Sequence, residues 1–136
     1  MKEADRLLTI AEEDNQKAGI YNQINRISFG AYSTDEKYGR ADERDLDRAI
    51  DALQTAIRLN PKEPSYFFNL AICFQKKGNQ NGALDAIQNC MDLGSEDDDH
   101  LALAYHIFEK YGKKKEAQKV KEKLKMINPL RAEALD

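Results

Sequence analysis

A fixed spacing between helix ends constrains this chain more than any other feature. Asn60-Pro61 closes one apolar helical run, Ser95 stands 34 residues further on, and 34 beyond that Pro129 again follows an Asn, Asn128. A period of this length means one supersecondary unit repeated, each copy burying its apolar face against the next. With position 1 set at Pro64 and at Asp98, two consecutive units align without a gap. Phe67, Leu70, Ala71 and Phe74 take positions 4, 7, 8 and 11 of the first, Gly78 takes 15, and Ala83, Ile87, Cys90 and Leu93 take 20, 24, 27 and 30. The same slots of the second hold Leu101, Ala104, Tyr105 and Phe108, then Gly112, then Ala117, Lys121, Leu124 and Ile127. Upstream, Ala49, Leu53, Ala56 and Leu59 fill slots 20, 24, 27 and 30 of a unit ending at Pro61.

The residue types say why such a unit folds as a helical hairpin. Small residues at 8, 20 and 27 let two helices approach closely, while large ones at 4, 7, 11 and 24 fill the space between. Gly78, Gly94 and Gly112 each follow a helical run, where a left-handed residue ends a helix at little cost. Pro64 suits a first turn, and Ser95-Glu96-Asp97-Asp98 supplies a cap and acids at a helix start. The spacing predicts helices near 64–77, 80–93, 97–111 and 114–127, after an earlier one over 45–59.

This pattern resembles the tetratricopeptide repeat family, in detail over residues 46–129. Two positions depart from it: Lys121 stands where a large apolar residue is usual, and Ser95 replaces the closing Pro. The resemblance implies an all-α chain, a right-handed superhelical array of antiparallel helix hairpins. It would form a single domain over 1–136 with about three repeats behind an N-terminal helix.

The first third fits less directly. In the strict frame residues 30–43 place nothing apolar at the right slots, whereas a shift of nine residues puts Ile24, Ile27, Ser28 and Ala31 at positions 4, 7, 8 and 11. That reading has an insertion near 33–44, a polar stretch whose one large residue is Tyr38. Ala4, Leu7, Leu8 and Ala11 recur at i, i+3, i+4 and i+7, an amphipathic helix. The expected layout is therefore a helix over 1–17, repeat 1 over 21–61, repeat 2 over 64–97 and repeat 3 over 98–131. Residues 130–136 are too few for the polar capping helix that helical arrays usually carry.

Composition narrows the function classes. A chain of 136 residues, 41% hydrophobic and 33% charged, suits one ordered domain. The net charge of −3 gives no reason to expect nucleic acid. No stretch approaches the roughly 20 apolar residues of a membrane span. Acids in Met1-Lys2-Glu3-Ala4-Asp5 are unlike a signal peptide, and two cysteines are too few for a disulfide scaffold, so the cytoplasm is the expected location.

Proteins that look like this display ligand-contacting side chains from the first helix of each unit, at positions 2, 5, 6, 9, 12 and 13. Carried over, these slots hold Asn22, Asn25, Arg26, Phe29, Tyr32 and Ser33 in the first unit and Ser65, Phe68, Asn69, Ile72, Gln75 and Lys76 in the second. Asp99, Ala102, Leu103, His106, Glu109 and Lys110 follow in the third. The implied site is a concave groove with Phe29, Tyr32, Phe68, Ile72 and Leu103 as apolar anchors, since large apolar side chains not needed by the core mark a partner surface. Asn69 and His106 would be its polar handles. Family members that grip the terminal carboxylates of heat-shock chaperones place Lys, Arg and Asn at slots that here hold Asn25, Phe29, Asn69, Asp99 and Leu103. Only Asn69 fits, and Asp99 would repel a carboxylate.

No enzyme is expected. His100 and His106 are six apart and face different ways on a helix, so they make no two-histidine metal site. Cys73 and Cys90 read as small buried residues, and Glu96 to Asp99 lack the spaced oxygens and Gly of a calcium loop. The lysines of 113–125 have no interleaved aromatics for single-stranded nucleic acid. With no cofactor or metal implied, the reading is an interaction module, scaffold or adaptor, that holds a peptide or helix of a partner protein. The alternatives are a structural subunit stacking with itself as a homo-oligomer through its ends, and a small secretion-type chaperone.

Overall fold

A computed structural model describes residues 2–37 and 42–135; Tyr38, in the expected insertion, lies outside them, as do the side chains of Ala4, Leu7, Leu8 and Ala11. Every regular element among the described residues is an α-helix: α1 (Lys2–Lys37), α2 (Glu43–Leu59), α3 (Pro64–Lys77), α4 (Gln80–Asp92), α5 (Asp98–Lys110), α6 (Lys114–Ile127) and the short α7 (Pro129–Glu133). The chain divides into two compact units, residues 1–66 and 67–136.

In the first unit α1 packs along α2. The expected break between a helix over 1–17 and a repeat beginning at 21 is absent: α1 runs without interruption for 36 residues. Gly19 is the one stop signal there and no Pro follows it, so a cost of about 1 kcal/mol does not end the helix. A second correction concerns register. Ala18, Asn25 and Tyr32 are buried while Ile24 is 41% and Ile27 72% exposed, and Ser28 and Phe29 are half-buried. The inward set at positions 4, 7, 8 and 11 is thus Asn25, Ser28, Phe29 and Tyr32, one residue on from the expected Ile24, Ile27 and Ser28; the side chain of Ala31 lies outside those described. One residue turns a helix by about 100°, enough to move a whole stripe from core to solvent. Residues 33–37 of the expected insertion lengthen α1, and Glu43 and Arg44 open α2. Helix α2 opens on Asp42, whose carboxylate accepts from the Arg44 amide at 2.9 Å, and buries Leu46, Ala49, Ile50, Ala52, Leu53 and Ala56.

The second unit follows the 34-residue frame closely. Leu70, Ala71, Ala83, Ile87, Cys90, Leu101, Ala104, Phe108, Ala117 and Leu124 are all buried, as their slots require. Gly78, Gly94 and Gly112 end α3, α4 and α5 at φ 76–78°, a conformation in which a Cβ would be strained. Phe74 lies against Gly82 so closely that a Cβ there would sit 2.8 Å from the ring.

Three slots depart from expectation. Leu93 and Ile127 stand at helix ends and are 38% and 41% exposed, because the chain turns away before their side chains can pack. At slot 24 of the last hairpin Lys121 is half-buried with its ammonium 5.9 Å from the Tyr105 ring, and the neighbouring Val120 supplies the buried apolar group. Ser95 is buried rather than capping α5. The cap is Asp97, whose Oδ1 accepts from the amides of Asp99 at 2.8 Å and His100 at 3.3 Å.

Candidate functional site

The site in the second unit is built from the head of α5. Asp97 starts the helix there, and a helix places residues three and four apart on one face, which aligns Asp99, Ala102, Leu103 and His106. Leu101, Ala104 and Phe108 occupy the opposite, inward face. His100 is 7% exposed; its Nδ1 lies 2.7 Å from Ser95 Oγ and 3.7 Å from Cys90 Sγ. Ser95 Oγ also accepts from the Asp97 amide at 3.3 Å, so the residue standing in place of the usual Pro anchors both the cap and the imidazole. Phe68 of α3 stacks on that imidazole, ring centroids 4.4 Å apart and planes 29° from parallel. The stack orients Phe68 as one wall of the site.

The opposite wall is the chain's own C-terminal turn. Asn128 accepts from the Arg131 amide at 3.1 Å to start α7, and its Nδ2 donates to Asp98 Oδ2 at 3.0 Å. The Arg131 guanidinium reaches Asp99 at 2.9 Å and Asp98 at 3.7 Å, and Ala132 is fully buried. Half-exposed ion pairs of this kind are each worth under about 1 kcal/mol, so the buried Ala132 and the amide contact share the fixing of α7.

Between these walls lies an open cavity of about 340 Å³ lined by Phe68, Asp99, Ala102, Leu103, His106, Arg131, Ala134 and Leu135. This is the small end of the range for ligand pockets, roughly 300–1,000 Å³. Its floor is apolar, and its polar groups stand at the rim.

The sequence-predicted site residues divide. Phe68, Asp99, Leu103 and His106 come together on the cavity. Asn69, Ile72 and Gln75 are half-buried on α3 and do not line it. The first-unit residues do not form the expected face: Tyr32 is 6% and Asn25 3% exposed, Phe29 is half-buried and Arg26 points to solvent. Ser65 is half-buried, its amide donating to Glu63 Oε1 at 3.3 Å. A different depression of about 270 Å³ marks that unit, lined by Tyr21, Ile24, Arg48, Asp51, Ala52 and Thr55. Sequence reasoning set His100 aside as a metal ligand and missed Arg131, Ala134 and Leu135. The signal for the last three was Asn128-Pro129, a cap followed by a first-turn Pro, which opens a helix as readily as it closes a repeat.

Successive packed helices recurring at this spacing define a helical-repeat protein. The particular fold is that of the tetratricopeptide repeat. A TPR domain of OM64 from Arabidopsis is similar with a TM-score of 0.69 at 14% identity, over 90% of this chain and 93% of that one. No family model matches the sequence, and no curated protein matches it.

Proposed function

We propose that this chain is a protein-interaction module whose second unit seats an apolar side chain from a peptide or helix of a partner. The observation that carries the reading is the cavity walled by Phe68 and Leu135, with half-buried Leu103 presented from α5 beside the buried Ala102. A tetratricopeptide-like fold suits that role, since repeat folds of stacked hairpins offer extended recognition surfaces. Scaffolding or adapting between partners is the role such a site serves. A non-enzymatic role belongs to the same proposal. Among the described residues the contacts of catalytic type, Ser95 and Cys90 with the His100 imidazole, are buried beneath Phe68 and shielded from a substrate. Among the described residues no helix is long and apolar enough to cross a membrane. Two buried thiols suit a reducing compartment, so the proposed location is the cytoplasm.

The test is to pan a displayed library of random dodecamer peptides over the wild-type chain and over Leu103→Glu, which places a carboxylate in the cavity. Peptides with a large apolar residue should enrich on the wild type and lose at least tenfold in affinity for the variant. Equal binding to both would move the site elsewhere.

One observation favours a second reading, self-association. Ile20, Ile24 and Ile27 form a stripe at i, i+4 and i+7 on α1, 60%, 41% and 72% exposed. Light scattering across concentration separates the two. A mass that rises with concentration and returns to one chain in an Ile20→Lys, Ile27→Lys variant would favour assembly through α1.

A further inference from the structure

Resting on the interaction reading, we infer that the segment seated in the second unit's cavity carries a basic side chain within a residue or two of its apolar anchor. The cavity makes the site, and the charge at its edge selects the occupant. Asp99 lines it, and the carboxylates of Asp97, Asp98 and Asp99 lie within 4.8 Å of one another. Glu96 precedes them, exposed. Against these four acids the rim supplies one guanidinium, Arg131, already divided between Asp98 and Asp99. The Asn128 amide adds a neutral donor to Asp98. The helix N-terminus contributes about +0.5 of a charge, well short of balance. An acidic segment would meet this field as repulsion, whereas a Lys or Arg beside the anchor would complete it.

The charge also sets direction. Asp99 stands in the first turn of α5 and His106 two turns further along the same face, so an extended segment lies with its basic residue towards the head of α5. The orientation follows from where the charges stand, since exposed ion pairs give specificity and association rate more than raw affinity.

Peptides enriched on the wild type in the panning above are synthesised with a fluorophore and titrated by polarisation against the full chain. Each is compared with versions whose Lys or Arg is replaced by Gln or by Glu. The Gln versions should bind about tenfold more weakly, matching one or two exposed ion pairs at under about 1 kcal/mol each, and the Glu versions more weakly still. An Asp97→Asn, Asp99→Asn variant keeps the cap acceptor and a partner for Arg131 while removing two charges. It should weaken the parent peptide by a similar factor and leave the Gln version unchanged. Peptides that enrich without a basic residue, or that bind equally as Gln and Glu versions, overturn this inference and leave the interaction reading standing. No enrichment over Leu103→Glu overturns both. A mass that rises with concentration in light scattering and returns to one chain as the selected peptide is added would make a second copy the occupant, and would also overturn it.

Discussion

Phe74 of α3 lies hard against Gly82 of α4, and the glycine is there because nothing larger fits. A Cβ at 82 would meet Phe74 Cγ at 2.8 Å and both Cδ atoms at 2.9 Å, nearer than real contacts allow. Alanine gains at most about 1 kcal/mol in helix propensity, whereas overpacking costs about 1–3 kcal/mol. Gly82→Ala should therefore lower stability by about 1 kcal/mol in urea unfolding, and Phe74→Leu in the same chain should recover it. A Gly82→Ala protein as stable as wild type would mean that the ring moves aside at no cost. Cys73 illustrates burial acting on chemistry. Desolvation pushes its thiol up from about 9 to about 12. The folded chain holds that proton where an unfolded one would lose it, so this group's contribution is constant below about pH 9 and declines between 9 and 12. At pH 8 Cys73 should resist a disulfide reagent in the native protein and react at once in urea, followed by mass spectrometry of the labelled peptide.

At the scale of elements, α1 decides how much could be read from sequence. The helices from 64 to 127 were legible because Gly, Asn and Pro punctuate them and small residues mark close approaches. Phe68, Asp99, Leu103 and His106 were legible for the same reason, each fixed by that register. In α1 the punctuation is missing and the apolar residues mislead. Ile24 and Ile27 look like core, yet Asn25 and Tyr32 take the buried positions, Asn25 donating to Asn22 Oδ1 at 3.4 Å. An amide with a hydrogen-bond partner can be buried, and hydrophobicity alone does not signal this. Arg131 was hidden differently, because its partners Asp98 and Asp99 lie over thirty residues away and only packing joins them. The register carries its own test. Ile27→Ala should change unfolding free energy by no more than about 0.5 kcal/mol, the range for exposed positions, while Tyr32→Ala should cost about 3 kcal/mol. The opposite order in urea titrations would restore the frame with Ile27 inward.

For the whole molecule, the division into two compact units bears on where the proposed site lies. All eight residues of the cavity come from 68–135, inside the second unit, while Leu46 and Leu53 are core residues of the first. Charge is segregated as well: residues 113–125 carry seven Lys and two Glu in a chain whose net charge is −3, so the acids of the cavity rim are not offset by an even mixture. Weakening one unit should therefore leave recognition by the other intact. Leu46 is fully buried, and Leu46→Ala should cost about 2–5 kcal/mol. At a temperature where the variant remains folded, amide exchange in α2 should quicken by about a hundredfold or more, as local opening becomes easier. Affinity for peptides selected on the wild type should stay within about twofold, since no lining residue has moved. Exchange by mass spectrometry and polarisation titration on the same sample would report both quantities. If affinity fell in step with α2 protection, binding would depend on the first unit, and the cavity of the second would not be the site by itself.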